Sequence, residues 1–486
     1  MRIHFLEEPE LEFGDGGRHV DVRFGIAQHG PFDRGTATAP VDLRVGLVGT
    51  SETIEGVRAW LVLCGKGIQG KETRLTNLFP GFPGFSRSTC FGSDLLFHER
   101  WTAEINKREI EGLVASADSQ NLTSLAVDLF LGHGRKVLEE GGPAVLLCAP
   151  PQELLAALES PQRDRRDPLD EEIDEGGELG ESRPPIGAHF HDLLKARCLT
   201  LRVPIQMVRP NTYAPGPQKQ PGIQRPLQDE ATRAWNLHTA LYYKAGGIPW
   251  RLVRDPSELT TCFVGVSFYR SPTGDRLMTS VAHVFNERGE GTVVKGGDAR
   301  IDKDDLQPHL SDQDSSSLLK KAVAAYRIEH RTQPARVVLH KTSQFSPGEA
   351  SGFSGAADVE RIDTLDLLSV RRSFTRLFRE GSYPPLRGTL LELDRKIGLL
   401  YLRGSVDFFR SYPGLYVPRP FEYLVERSNT TTRGLGSEML ALSKLNWNNT
   451  QFDGGEPITV RAARRVGDIL KHVEGDDVQA SFRFFM

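Results

Sequence analysis

Cysteine is scarce in this sequence, and long apolar runs are absent. The five cysteines, at 64, 90, 148, 198 and 262, are scattered through 486 residues with no C-x-x-C pair. That excludes a disulfide framework or a zinc ribbon as the basis of the fold and leads us to expect a reducing, cytoplasmic setting. The longest apolar stretch lies near AVLLCAPP at 144–151, too short for a membrane helix. The start, MRIHFLEEPELEFG, lacks the basic-then-apolar order of a secretion signal, so no membrane partner is expected. Basic charge is not in excess either. Lys and Arg number 60 against 64 Asp and Glu, a net charge of −4, which is unlike most nucleic-acid binders.

What is present is an α/β pattern too long for one hydrophobic core, so two lobes are expected, 1–250 and 251–486. The first 115 residues read as β-rich, with VDVRFGIAQHGPF, VDLRVGLVG and AWLVLC as strands. Between 122 and 250, strands such as PAVLLCAP and LRVPIQMVRP alternate with helices, which implies a parallel sheet. Residues 160–186 are acidic and Gly-rich and read as a surface insertion. From 251 the order is three strands, a long helix (SSSLLKKAVAAYRIEH) and a strand (RVVLHKT), the order of an RNase H-type sheet. One local field opposes the overall charge: residues 371–403 carry seven Arg and one Lys against two Glu and one Asp. A solvated helix face and a phosphate-contacting surface are equally open readings of it.

Two near misses are set aside. G-x-x-x-x-G-K fits Gly65 to Lys71, but Glu72 stands where Ser or Thr would hold a metal, and prolines follow where a helix is needed. GVSFY lacks the second Gly of a nucleophile elbow, having Tyr269 there. More informative is HFHDLLKARCLTLRVPIQMVRP. His191 and Lys195 share one helical face, Gln206 lies on the next strand, and Lys244 closes a later helix before Gly246 and Gly247. An imidazole, two ammonium groups and an amide suit a terminal phosphate, although singly each has a duller reading as a surface or capping residue.

Segments from HGPF (29–32) and FPGF (79–82), through CAPPQELL, HDLLKARC, IQMVRP and ALYYKAGGIPWRL, resemble a known family. FVGVSFYR, VVLHKTSQFSPGE, GLYVPRPFEY and SKLNWNNTQFDGGEPITVRAARRVGDIL continue the likeness. The chain resembles short prokaryotic Argonautes, proteins reduced to a Rossmann-like MID domain followed by an RNase H-like PIWI domain. The resemblance implies that His191, Lys195, Gln206 and Lys244 grip the 5′-phosphate of a guide RNA. It also implies a Mg²⁺ beside the phosphate, held by Gln206 and the terminal carboxylate of Met486; such hard oxygen ligands suit that ion.

In catalytic relatives, acidic residues of the PIWI domain bind two metal ions. The matching positions here are Ser267, Thr342 and Arg464. The mobile Glu of such centres has no assigned counterpart, and the loop KGGDARIDKDDLQ is its expected neighbourhood. Two divalent ions about 4 Å apart need anionic ligands, so no cleavage is expected. Arg371, Arg372, Arg376 and Arg379 then become candidate linings for a guide–target duplex. The implied role is recognition of single-stranded target DNA. Its consequence would be activation of an effector partner that carries an Argonaute-associated (APAZ) domain and a TIR, sirtuin-like or nuclease unit, in defence against plasmids and phages. The competing reading is a divergent metal nuclease that recruits Asp304, Asp305 or Asp453.

Overall fold

The computed structural model describes residues 1–116, 121–139, 141–158, 187–214, 228–253, 257–271, 276–285, 291–378, 380, 384–412, 414, 417–450, 452, 454–473 and 479–486. The expected acidic insertion at 160–186, together with Arg379 and Asp453, lies outside these residues. Two compact units emerge, and neither is continuous in sequence. One comprises Glu12–Trp250, Trp447–Gln451 and Met486; the other comprises Met1–Leu11, Arg251–Asn446 and Phe452–Phe485. No helix among the described residues is long and apolar enough to cross a membrane.

The chain opens with β1 (Arg2–Phe5), which pairs far downstream in the second unit. The first unit is built on β2 (Asp42–Gly49), β3 (Asp94–Glu104), β4 (Val145–Ala149) and β5 (Ile205–Met207), all parallel, in the order β3-β2-β4-β5. Parallel neighbours need helical crossovers. Among the unit's helices are α1 (Val22–His29), α2 (Ser51–Gly65), α3 (Lys107–Ser116), α4 (Leu122–Glu139), α5 (Gln152–Leu158), α6 (Gly187–Cys198) and α7 (Glu230–Lys244).

Two expected strands are therefore helices. VDVRFGIAQHGPF supplies α1, whose first turn is capped by the Asp21 carboxylate accepting from the N–H groups of Arg23 and Phe24. AWLVLC lies inside α2, where Ile54, Val57, Trp60, Leu61 and Cys64 are buried at helical spacing. A six-residue apolar run cannot by itself distinguish a buried strand from the apolar side of a helix. The strand that a phosphate loop would need before Gly65 is thus missing, which removes that near miss altogether.

The second unit carries one ten-stranded sheet. Its strands are β1, β6 (Thr261–Arg270), β7 (Leu277–Phe285), β8 (Thr292–Asp298), β9 (Arg336–Lys341), β10 (Thr364–Arg372), β11 (Thr389–Glu392), β12 (Ile397–Leu400), β13 (Phe421–Arg427) and β14 (Gln479–Ser481). They run in the order β1-β11-β12-β13-β10-β9-β6-β7-β8-β14. The strands β6, β7 and β8 are antiparallel; after the helix α8 (Asp312–His330) the chain returns as β9, parallel to β6. That is the expected RNase H order.

Strand alternation separates two faces of this sheet. Cys262, Val264, Val266, Val337, Leu339, Leu365 and Leu367 bury against α8 and α9 (Pro347–Val359). The other face of β6 and β9 packs on α11 (Ile458–Leu470), which follows α10 (Thr432–Leu442). Gly265 marks the closest approach: a Cβ there would lie 2.0 Å from the carbonyl oxygen of Thr459. The Arg-rich segment is not a helix face, because 364–372, 389–392 and 397–400 are strands.

Candidate functional site

In the first unit, α6 buries Phe190, Leu194 and Cys198 in the core around β4 and β5. That orientation places His191 and Lys195, each one residue further on, along a neighbouring stripe. His191 is half-buried, with its Nδ1 2.9 Å from Asp192 Oδ1. Lys195 is only 2% exposed. Burying an ammonium is costly unless it is paired, so this position is not a casual surface lysine.

Lys244 ends α7 and is equally sealed at 2% exposure. Its Nζ donates to the Ile205 carbonyl at 3.1 Å and to Gln206 Oε1. The Gln206 amide in turn donates to Met207 O at 3.0 Å. Two of the four residues singled out by spacing are thus joined by a direct hydrogen bond, and the other two lie one turn apart on α6. Met486 is 6% exposed and groups with this unit.

Apart from Gly246 and Gly247, what holds Lys244 in place was given no role from the sequence. Asp229 caps the start of α7 by accepting from Thr232 N at 3.1 Å. At its end Gly246 (φ +104°) and Gly247 turn the chain back, donating to Tyr243 O and Tyr242 O at 3.0 Å each. Buried Asp33, just after HGPF, accepts from the Tyr242 hydroxyl at 2.7 Å and from Ile248 N at 3.0 Å. The FPGFPGF loop packs Phe82 edge-on to Trp235 at 5.1 Å, and Trp235 Nε1 donates to Gly81 O at 3.0 Å. From far downstream, Trp447 of LNWNN stacks on Tyr243 at 4.9 Å and donates to the Trp250 carbonyl at 3.2 Å. Motifs hundreds of residues apart converge on one helix.

In the second unit, Ser267 and Thr342 stand side by side. Ser267 shares the α11 face of the sheet with Gly265, and Thr342 N donates to Val266 O at 3.1 Å. His340 lies on that face too, with its Nδ1 2.8 Å from Thr459 Oγ1. Arg372 and Arg464 meet there on one carboxylate: Arg372 Nε is 3.3 Å from Glu456 Oε1, and Arg464 Nη1 bonds the same oxygen. Burial pushes Glu456 up, but the charges of Arg464, Arg372 and Arg461 outweigh it and hold the carboxyl below its ordinary value.

The remaining channel candidates diverge. Arg371 points to the opposite side of β10 and pairs with Glu422 at 2.9 Å, while Arg376 donates to Phe374 O and Thr375 O. Of Arg371 and Arg372, neighbours on β10, only Arg372 joins the Ser267 side.

Asp305 likewise does not approach Ser267. It bonds His309 Nε2 at 2.8 Å; His309 Nδ1 lies 2.9 Å from Glu349, and Glu349 pairs with fully buried Lys341 at 2.7 Å. Lys341 projects to the α9 side of β9, so this network occupies the other face. Asp304 is exposed on the same loop. Among the described residues no group of three or more His, Cys, Asp or Glu side chains is arranged to hold a metal ion.

A parallel-sheet unit and an RNase H-type unit in one chain define an Argonaute-like fold of MID and PIWI type. Solved structures agree. The chain is similar to Clostridium butyricum Argonaute bound to a guide DNA and a 19-mer target DNA (TM-score 0.60, 15% identity, 100% of this chain and 55% of that one). Aa-Ago with externally bound siRNA (0.58, 12%, 99% and 56%) and Drosophila Piwi (0.56, 13%, 99% and 56%) are similar as well. This chain spans about half the length of those proteins. No family model and no curated protein sequence matches it.

Proposed function

We propose that this protein is a guide-dependent nucleic-acid recognition module that does not cut. A short guide RNA with a 5′-phosphate is anchored by His191, Lys195, Gln206 and Lys244, and base pairing then selects single-stranded target DNA. The observation that carries the reading is the sealed Lys244 ammonium bonded to Gln206; the Lys195 ammonium of α6 is buried as well. Two buried cations with an amide are a donor set for an anion carrying nearly two charges. The similar Clostridium butyricum protein is itself bound to a guide and a target, in its case both DNA.

Mg²⁺ belongs to this proposal through Gln206 Oε1 and the Met486 carboxylate, both hard oxygen ligands. When bound, the ion would neutralise phosphate oxygens. Gln206 Oε1 already accepts from Lys244 Nζ, so ion and ammonium would share its lone pairs.

The absence of cleavage rests on residue chemistry: Ser267, Thr342 and Arg464 offer two hydroxyls and a cation where metal ions would require carboxylates. Recognition is then reported by activating an APAZ-domain effector, TIR, sirtuin-like or nuclease, in cytoplasmic defence against plasmids and phages. To test the reading, guide-loaded protein is incubated with matched target and Mg²⁺ or Mn²⁺. Retained, uncut target is expected. A product cut at a fixed distance from the guide 5′ end would instead establish the divergent nuclease.

A further inference from the structure

The outermost strands of a sheet carry unpaired backbone groups, and most proteins blunt them with a lysine, a proline, a bulge or a covering segment. The ten-stranded sheet ends on β14 at one side and on β1 at the other. β14 is short and offers Gln479 and Ser481. β1 reads Arg-Ile-His-Phe, and its Ile3 and Phe5 are 67% and 50% exposed. These two share one face of the strand. Arg2 and His4 turn to the other, where His4 Nε2 lies 3.1 Å from Glu392 Oε2.

The register fixes which backbone groups of β1 are free. Thr389 O accepts from Tyr401 N at 2.9 Å and Leu393 N donates to Ile397 O at 3.0 Å, so the odd-numbered residues of β11 turn to β12. The even-numbered ones turn to β1, where Leu390 faces His4 and Glu392 faces Arg2. Gly388 O accepts from Leu6 N at 2.9 Å, in phase with them. Ile3 and Phe5 therefore aim their N–H and C=O groups away from the sheet, and no strand of the described residues lies beyond β1 to take them. The same two residues expose both an apolar side chain and a pair of backbone groups.

We infer that β1 pairs antiparallel with β1 of a second copy of this chain, across a two-fold axis at His4. That pairing sets Ile3 of each copy opposite Phe5 of the other and closes four N–H···O=C bonds. It also stacks β-branched on aromatic side chains, a favourable cross-strand pair. A strand that fills this edge must present outward amides two residues apart with apolar side chains at the same positions, and β1 is itself such a strand. A slip of one residue would set outward groups against groups already bonded to β11, so the register is defined. Four residues a side bury less than the roughly 1,200 Å² of a stable interface, which makes the dimer reversible, with a dissociation constant of about 10–100 μM. The inference goes beyond the guide-binding role and does not depend on it.

The test is sedimentation velocity of the full chain without nucleic acid, from about 1 to about 200 μM, with amide hydrogen exchange measured at both ends. The weight-average mass should rise by at least about half across that range, and the Ile3 and Phe5 amides should exchange about two- to sixfold more slowly at the upper end. Ile3→Pro removes only an outward N–H, at a place where an edge strand tolerates proline, and leaves the ladder to β11 intact. It should stay monomeric throughout with an unchanged melting temperature. Phe5→Lys, which puts a charge on the edge, should do the same, and it carries the test if Ile3→Pro melts early.

An intact protein that stays monomeric over the whole range overturns the inference. So does a dimer that persists undiminished in the folded variants, which would place the association on another surface. Ile3 and Phe5 amides already protected at the lowest concentration would overturn it as well, because another part of the chain would then cover the edge.

Discussion

At Lys244 a single ammonium ties α7 to β5 through Ile205 O and Gln206. Hydrogen bonds to charged groups contribute about 1.5–3 kcal/mol, so Lys244→Ala should reduce discrimination between 5′-phosphate and 5′-hydroxyl guides by about 10- to 100-fold. Competition binding with paired guides reads this directly. The four residues of the proposed phosphate site were singled out because one is i+4 to another on a helix, one follows on the adjacent strand and one precedes a Gly pair. Asp33, Trp235 and Trp447 were not, because their partners lie between 154 and 215 residues away and leave no local periodicity. Divergence of Arg371 from Arg372 follows from strand alternation, which became visible only once 364–372 was placed as a strand and not a helix.

Among the elements, α11 decides how the Ser267 face of the sheet is built. Its first turn lies directly against β6, leaving no space for a side chain at 265. Gly265→Ala forces backbone apart in a packed core and should destabilise the protein by about 1–3 kcal/mol, read as a lowered melting temperature. On the opposite face, Glu349 both caps α9 and satisfies Lys341. Burial pushes Glu349 up, yet Lys341 and the N–H groups of Leu310 and Ser346 hold it below its ordinary value. A lowered carboxyl pKa stabilises the fold above its unfolded value and loses that contribution as pH falls through the folded one. Replacing Glu349 by Gln leaves Lys341 buried without its counter-ion and should cost about 3–5 kcal/mol by denaturant unfolding. The β–β–β–α–β order was readable because long strands and a 19-residue helix carry strong patterns. α2 was misread because AWLVLC is contiguously apolar, where helix and strand look alike, and α1 because Val20, Val22, Phe24 and Ile26 alternate as a strand would.

For the whole molecule, two buried histidines set an acid limit, one in each unit. Burial lowers His238 to about 4, against the opposing bond from its ring to the Ala234 carbonyl. Burial, with the nearby Arg336 charge, lowers His340 to about 3. Unfolded, both titrate near 6.5, so the unfolded chain takes up the protons first. The stability they confer is complete above pH 6.5 and is lost as pH falls toward their folded values, by about 1.4 kcal/mol per unit for each histidine. Unfolding at pH 7.5, 6 and 5 should show this slope, and His238→Phe should remove the share belonging to the first unit.

The central claim is that the first unit reads a guide by its terminal phosphate. The decisive measurement is the dissociation constant of the intact protein for one RNA sequence carrying either a 5′-phosphate or a 5′-hydroxyl, at fixed salt with Mg²⁺. The phosphorylated strand should bind at least about tenfold tighter, and Lys195→Ala with Lys244→Ala should erase the difference. Equal affinities for the two strands in the intact protein would contradict the account.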